Sequence, residues 1–200
     1  MTTTPITYFE QMYAASPDPW DFEHRWYDAR KHALTEAALP RARYASAFEP
    51  GCSTGNLTRR LATRCDALLA VDSVAAAVAT TADRLKDQPH VTVRQAQLPG
   101  DWPDQTFDLI VLSEIAYYFT DNRLLTQAVA SLAPGGDMVA VHWRREVAEH
   151  ARTGDEVHAA LAAVPELARL ARHVEDDFVL EVFTRVPPAA QSVAQREGLA

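Results

Sequence analysis

The stretch AFEPGCSTG, residues 47–55, follows a short apolar run and precedes the amphipathic segment NLTRRLATR. Gly51 and Gly55 bracket three small residues, and Glu49 places a carboxyl group just before them. Glycine adopts positive φ angles and lets a ligand approach the main chain closely. The stretch is therefore typical of a tight turn between a strand and a helix, or of a loop that holds a small charged ligand.

Strand-like and helix-like segments alternate from about residue 45 to residue 143. Strand patterns occur at 44–49, 67–72, 90–96, 107–114 and 137–143, and helix patterns at 56–64, 73–87 and 121–136. This order predicts βαβ units and a parallel sheet covered by helices. Ligands of such sheets bind beyond the carboxyl ends of the strands, so the turn after Glu49 lies where a ligand site is expected.

The two ends of the chain follow other patterns. Residues 20–39 predict an amphipathic helix before the first strand, and residues 154–164 predict another helix. Residues 168–176 and 178–186 predict two strands joined by a tight antiparallel turn. From Pro187 onward there is no apolar periodicity, which indicates a flexible tail.

Composition narrows the class of protein. With 200 residues and 48% hydrophobic residues, the chain fits one domain with a sizeable core. It has no apolar run long enough to span a bilayer, and its N-terminus lacks the features of a secretory signal. Two cysteines are too few for a disulfide framework or a metal cluster. We therefore expect a cytoplasmic protein without a membrane partner.

The net charge of −8 argues against nucleic acid as the main partner, because binding phosphates needs a basic face. Arg59, Arg60 and Arg64 form a local basic cluster, which we interpret as a solvated helix face.

The glycine loop favours a cationic ligand. A dinucleotide fingerprint needs a third glycine, and Glu49 would repel a pyrophosphate. S-adenosylmethionine carries a sulfonium and an ammonium group and fits this loop better. The second strand ends in Asp72, whose carboxylate could accept both hydroxyls of a ribose. The alternative is a simple turn followed by a helix cap at Ser73.

The same residues carry a family resemblance. FEPGCSTGNLTRRL resembles the first motif of class I S-adenosylmethionine-dependent methyltransferases, usually E-x-G-x-G-x-G, with Ser53 where the middle glycine is common. Segments 70–74, 107–119 and 132–143 are similar to the second motif, the fourth motif and the fifth-strand region. The resemblance implies an α/β fold with a doubly wound, mostly parallel, seven-stranded Rossmann-like sheet. The C-terminal hairpin would supply its sixth and seventh strands.

Other segments resemble the nodulation protein S group of these enzymes. They are SPDPWDFEHRWYDARKHALTEAALP (16–40), SEIAYYF (113–119), HWR (142–144) and TGDEVH (153–158). The named member of that group N-methylates the terminal amino sugar of a de-N-acetylated chitooligosaccharide, so the resemblance implies methylation of a small-molecule amine. The predicted division is an N-terminal helical lid (1–40), a methyltransferase domain (41–186) and a flexible tail (187–200).

The expected cofactor contacts come from the loop, the strand ends and the lid. They are Trp20, Arg30, Glu49, Gly51, Cys52, Gly55, Asp72, Ser73, Gln97, Leu98 and Glu114. Trp20 could shield the cofactor or serve as a packed aromatic anchor. The resemblance favours Arg30 as a bidentate partner of the methionine carboxylate over a surface pair with Lys31. Cys52 has no adjacent base, so we do not expect a nucleophile there.

Three residues are candidates for catalysis. Glu114 ends the fourth strand, where it could bind a substrate ammonium or take its proton, or instead cap a helix or bind cofactor hydroxyls. His142 ends the fifth strand and could remove a proton, although a lone histidine is more often a core residue. Tyr118 could line the methyl pocket or belong to the core.

Substrate contacts are expected from Tyr117, Trp143, Asp155 and His158, the last two on one face of a helix. A metal site built from Asp155, His158 and His142 is disfavoured because the set has no further ligand.

The sequence leaves several functions open. The leading hypothesis is methylation of an amine such as an amino sugar, by a monomer or homodimer. Methylation of a hydroxyl or another atom of a secondary metabolite is an alternative within the same class. A non-catalytic cofactor-binding module is an alternative from another class, and a nicotinamide oxidoreductase is disfavoured by the missing third glycine.

Overall fold

The alternating apolar segments form one seven-stranded sheet in the computed structural model, which describes residues 3–200. The strands are β1 Ala47–Pro50, β2 Leu68–Asp72, β3 Val91–Gln95, β4 Phe107–Ser113, β5 Leu132–Trp143, β6 Leu167–Val174 and β7 Phe178–Arg185. The helices are α1 Ile6–Ala15, α2 Trp26–Ala37, α3 Asn56–Ala62, α4 Ala75–Arg84, α5 Arg123–Ser131, α6 Gly154–Ala162 and α7 Val193–Arg196, with a 3-10 helix at Ala116–Tyr118. In the described part of the chain, no helix has the length and apolar character that a membrane crossing requires.

The strands lie in the order β3-β2-β1-β4-β5-β7-β6. β1 to β5 are parallel, whereas β7 runs antiparallel to both β5 and β6. The predicted fold is therefore confirmed, including the C-terminal hairpin. The strand order reverses between β1 and β4, and a crevice opens at such a point beyond the carboxyl ends of the strands.

Strand residues alternate between two apolar layers, as the two-residue period of a strand requires. In β4, Ile110 and Leu112 belong to one buried cluster, while Leu109 and Val111 belong to the other. The central strands are therefore covered on both faces, which explains why residues 107–113 form an almost continuous apolar run.

The loop between β1 and α3 depends on a glycine at its end. Gly55 has φ +79°, and a Cβ atom placed there would lie 2.9 Å from Cγ2 of Thr81. We expect Gly55→Ala to lower the free energy of unfolding by about 2–4 kcal/mol, since it adds left-handed strain to an overpacked contact. Gly198→Ala is the matched control, because Gly198 has φ +71° and nothing within 4 Å of a built Cβ. Equal melting temperatures for the two variants would contradict this explanation.

The N-terminal region differs from the expected single helix at 20–39. α2 begins only at Trp26, and α1 precedes it over a stretch where the sequence pattern predicted no helix. Asp18 accepts a hydrogen bond from the backbone N–H of Glu23, and Asp21 adopts φ +57°. These local contacts of aspartate side chains stabilise turns at the expense of a helix.

Two further elements differ from the sequence patterns. α5 ends at Ser131, and β5 begins at Leu132, five residues before the predicted strand start. Beyond Pro187 the chain forms the short helix α7, and Arg196 donates two hydrogen bonds to the fully buried carboxylate of Asp137. Arg41 and Tyr44 also donate to this carboxylate, so the contact with Arg196 holds the segment after Pro187 against β5 and adds to the pairing of a buried charge.

Candidate functional site

A cavity of about 820 Å³ lies beyond the carboxyl ends of β1, β2 and β4, at the reversal of strand order. Its volume falls in the upper part of the range typical of small-molecule sites, about 300–1,000 Å³. Of the residues predicted to contact cofactor or substrate, twelve line it: Trp20, Glu49, Gly51, Cys52, Asp72, Ser73, Gln97, Leu98, Glu114, Tyr117, Tyr118 and Trp143.

The glycine loop forms one wall of this cavity. The backbone N–H groups of Gly51 and Cys52 both donate to the carbonyl of Val71, at 2.7 and 2.9 Å. Gly51 has φ +76°, and a Cβ atom there would lie 3.0 Å from Cδ1 of Ile115. Ser53, which replaces the usual glycine, keeps a positive φ of 50°. The loop thus retains the glycine-like backbone that leaves main chain exposed to a ligand.

Asp72 is fixed in place by the backbone around it. Its carboxylate accepts hydrogen bonds from the N–H groups of Ser53, at 2.9 Å, and Val74, at 3.0 Å. Burial raises the pKa of Asp72, while these backbone donors oppose the shift. Each carboxylate oxygen has lone pairs beyond those used here, so Asp72 can still accept hydroxyl donors from a ligand.

Glu49 is a buried carboxyl group with an unsatisfied oxygen. Its side chain lines the cavity, only 2% of the residue is exposed, and Oε2 has no hydrogen-bond partner among residues 3–200. Burial raises the pKa of Glu49 to about 8. Buried polar atoms are normally paired, so an unpaired carboxyl oxygen in a cavity wall indicates a position for a ligand donor.

Glu114 links three elements around the cavity. Its carboxylate accepts hydrogen bonds from Nζ of Lys31 (2.8 Å), the hydroxyl of Tyr117 (2.6 Å) and the backbone N–H of Trp143 (2.8 Å). Burial would raise the pKa of Glu114, but the Lys31 ammonium and these donors hold it below its usual value. Glu114 is therefore an ionised anchor, and a proton-accepting role for it is disfavoured.

The N-terminal segment covers the cavity. The backbone N–H of Thr4 donates to the carbonyl of Tyr118 at 3.0 Å, and Phe9 packs edge-on against Tyr118. The hydroxyls of Tyr13 and Ser53 lie 2.6 Å apart, and Trp20 packs edge-on against Tyr13. The segment thus contacts both loops at the mouth of the cavity, where the sequence predicted a lid; residues 1 and 2 of that lid lie outside the described residues.

Two predicted cofactor contacts do not reach the cavity. The guanidinium of Arg30 donates to both oxygens of Glu175, at 2.7 and 2.9 Å. Both terminal nitrogens of the guanidinium are therefore paired with Glu175, and Arg30 does not line the cavity. Gly55 is buried against Thr81, so its glycine is explained by backbone conformation and close packing.

His142 and His158 belong to a buried chain of hydrogen bonds behind the cavity. Nε2 of His142 accepts from the N–H of Ala116, its Nδ1 lies 3.1 Å from Nε2 of His158, and Nδ1 of His158 lies 2.8 Å from Glu181. Burial keeps the pKa of His142 well below its usual value. Both ring nitrogens of each histidine take part in hydrogen bonds within the protein, and neither side chain lines the cavity. The contact of His142 with Ala116 indicates that the pair helps to position the 3-10 helix.

Asp155, the remaining predicted substrate contact, is an exposed residue that pairs with Arg144 at 3.0 Å. In residues 3–200, no three His, Cys, Asp or Glu side chains are grouped so as to hold a metal ion.

Sequence reasoning missed several cavity residues, of which Lys31 is the most consequential. The side chain of Lys31 is 5% exposed, and its ammonium lies 3.2 Å from Asp28 as well as 2.8 Å from Glu114. Burial would lower the pKa of Lys31, but the Glu114 carboxylate raises it. The three-residue spacing of Asp28 and Lys31 could have indicated this ion pair, because residues three apart lie on the same face of a helix. The cavity is also lined by His32, Tyr13 and His150, none of which belongs to a sequence motif that would have identified it.

Comparisons with known proteins agree with this architecture. A family model described as "Nodulation protein S (NodS)" matches residues 9–174. The nodulation protein S of Sinorhizobium fredii is 33% identical over 130 residues, which is 62% of this chain and 60% of that protein. That of Rhizobium tropici is 32% identical over 130 residues, or 62% of this chain and 55% of that protein. The chain thus spans about three fifths of the length of these curated relatives.

Solved structures share the fold. A candidate methyltransferase of Pseudomonas syringae is 46% identical, with a TM-score of 0.72 over 80% of this chain and 100% of that one. The N-methyltransferase NodS of Bradyrhizobium japonicum WM9, crystallised with S-adenosyl-L-homocysteine, has a TM-score of 0.80 at 24% identity, over 92% of this chain and 99% of that one.

Proposed function

This chain belongs to the nodulation protein S family, and from that premise we propose that it transfers a methyl group from S-adenosyl-L-methionine to the amino group of a small molecule such as an amino sugar. The charge of the cavity wall supports this proposal most directly. The cavity is lined by more acidic than basic side chains. The five carboxyl groups belong to Asp28, Glu49, Asp72, Glu114 and Asp177, and the two cationic side chains are those of Arg25 and Lys31. Even when Glu49 is protonated, four carboxyl groups remain against two cationic side chains, and an acidic cleft favours cationic ligands such as an ammonium acceptor and a sulfonium donor.

The residues present fit the methyl donor. The unpaired Oε2 of Glu49 can accept a hydrogen bond from its ammonium, and Asp72 can accept its ribose hydroxyls. Gly51 leaves main chain open to it, and Trp20 can cover it from the N-terminal segment. When bound, the donor would supply an electrophilic methyl group on a sulfonium sulfur.

The remainder of the cavity suits the acceptor. Many of the lining side chains are aromatic, and the Asp28 and Glu114 carboxylates belong to the same lining. The N-terminal segment lines one side of the cavity, and the hydrogen bonds around Glu114 fix the opposite wall. Holding two reactants in one orientation contributes up to roughly 7–11 kcal/mol to a displacement of this kind, so no covalent intermediate on the protein is required.

Ligand titration and an acceptor assay test the proposal. We expect S-adenosyl-L-homocysteine to bind with a roughly micromolar dissociation constant in calorimetry, in the range common for enzyme ligands. We expect methyl incorporation into D-glucosamine and none into N-acetyl-D-glucosamine, which lacks a free amine. Methylation of both sugars would favour a hydroxyl acceptor. Binding without turnover on any acceptor would favour a non-catalytic module, and absence of binding would contradict the proposal entirely.

A further inference from the structure

We propose that the imidazole of His150 accepts the proton that the acceptor amine must lose, an inference that rests on the proposed amine methylation. His150 lies in the loop between β5 and α6, and its side chain lines the same cavity as Glu114, Tyr118 and Trp143.

The ring of His150 is held in a defined orientation. It stacks on the ring of Tyr117 with centroids 3.8 Å apart and planes 16° from parallel, and it meets Tyr118 edge-on at 5.1 Å. The next two residues fasten the loop, because the N–H groups of Ala151 and Arg152 both donate to the carbonyl of Tyr117, at 2.9 and 3.0 Å. A general base acts best when its position is fixed before the substrate binds.

The nitrogens of His150 are available to a ligand. Within the described chain, neither ring nitrogen forms a hydrogen bond, whereas both nitrogens of His142 are used. Partial burial lowers the pKa of His150, while Glu114 and Glu149 oppose the shift. The imidazole is therefore neutral at pH 7 and can accept a proton.

Other groups in the cavity are poorer proton acceptors. Burial lowers the pKa of His32 to about 4, which makes it a weak base. Burial raises the pKa of Tyr118, so its hydroxyl stays protonated. Glu114 is ionised and already accepts three hydrogen bonds. His150 combines a neutral imidazole in the cavity wall with ring nitrogens that form no hydrogen bond within the described chain, so it is the group best placed to accept the proton.

The step balances as follows. The acceptor ammonium gives one proton to a ring nitrogen of His150, which becomes an imidazolium. The freed lone pair of the amine forms the new N–C bond to the methyl group, while the electron pair of the broken C–S bond stays on sulfur. The imidazolium then releases its proton to solvent at the cavity mouth.

The charged and titratable groups around the ring come from several elements. They are Glu149 on the same loop, Glu114 after β4, Tyr117 and Tyr118 on the 3-10 helix, and His142 on β5 behind Tyr117. The two carboxylates stabilise the imidazolium that proton transfer would create.

The experiment combines turnover with a spectroscopic measurement. In the S-adenosyl-L-homocysteine complex at pH 7, the ring of His150 should be neutral, and D-glucosamine should shift the nitrogen NMR resonance of one ring nitrogen by donating a hydrogen bond from its ammonium group, whereas N-acetyl-D-glucosamine should leave it unchanged. His150→Gln should lower kcat about 100-fold or more, with little change in KM or in S-adenosyl-L-homocysteine affinity. Added imidazole should restore turnover to His150→Ala, whose smaller side chain leaves room for it.

His90→Gln is the matched control, because His90 is also half-buried but bonds the carbonyl of Ala62 outside the cavity. Unchanged ring-nitrogen resonances of His150 in the amine complex, or a His150→Gln variant that keeps its kcat, would overturn the role of His150 and leave amine methylation intact. Absence of turnover by the unmodified protein on D-glucosamine and on every other amine acceptor, despite binding of S-adenosyl-L-homocysteine, would instead overturn amine methylation and the role of His150 with it.

Discussion

Replacing Glu114 with alanine is expected to lower the free energy of unfolding by about 3–5 kcal/mol, because it breaks a largely buried ion pair and leaves two hydrogen-bond donors without their acceptor. Lys31 would remain with Asp28 only, and the hydroxyl of Tyr117 and the N–H of Trp143 would lose their acceptor. Urea unfolding followed by circular dichroism measures the change.

Two further variants separate charge burial from other effects. The triple variant Asp28→Asn, Lys31→Met and Glu114→Gln should recover much of the lost stability, because neither an ammonium nor a buried carboxylate is then left without a partner. Asp83→Ala removes the partner of an exposed ion pair with Lys86 and should change stability by less than about 1 kcal/mol. A Glu114→Ala variant as stable as Asp83→Ala would contradict the role assigned to Glu114.

Replacing Glu49 with glutamine is expected to weaken S-adenosyl-L-homocysteine binding about 10- to 100-fold, since a hydrogen bond to a charged group contributes about 1.5–3 kcal/mol. Glutamine has the shape of the protonated acid, so the fold should persist. Calorimetric titration of both proteins measures the difference, and equal affinities would contradict an ammonium contact at Oε2.

The same residue should couple binding to pH. Burial raises the pKa of Glu49 to about 8, so at pH 7 the free protein holds a proton there. A ligand ammonium favours the carboxylate, and binding should therefore release ~1 proton at pH 7. Calorimetry in two buffers of different ionisation enthalpy counts the protons. 5′-Methylthioadenosine, which lacks the amino-acid part, should release none, and neither should Glu49→Gln with S-adenosyl-L-homocysteine.

The stability of the ligand-free protein should also depend on pH through the titration of Glu49. The folded protein binds the Glu49 proton more tightly than the unfolded chain does, because the folded pKa is about 8 and the ordinary value is 4.5. The free energy of unfolding should therefore fall as pH rises from about 4.5 to 8. The Glu49→Gln variant should show a smaller fall over this range, which thermal melts at several pH values would reveal.

The fold was predictable from sequence because local patterns and tertiary structure agree over residues 45–143. The apolar run at 107–113 and the alternation at 91–95 each match a strand. The first helix was not predictable in this way, because α1 is stabilised by contacts such as Tyr13 with Ser53, forty residues away. The end of α5 was placed too late because the pattern continues past Ser131, whereas pairing with β4 takes Leu132 into the sheet.

The site was predictable at the strand ends and less so elsewhere. Glu49, Asp72 and Glu114 follow from topology, since parallel strands end at one edge of a sheet. His142 and Trp143 were expected together on the rim, but successive strand residues point to opposite faces, and only Trp143 lines the cavity. Lys31 and His150 reach the cavity from a helix and a loop whose placement no short motif specifies.

The N-terminal segment contacts the loop that carries Ser53 and the loop that carries Tyr118 at the same time. Its displacement would therefore open both halves of the cavity together, and spent donor and modified acceptor would share a single exit. For the proposed methyl transfer, the rate of such a displacement of residues 3–22 would then set an upper limit on turnover, however fast the bond-making step is.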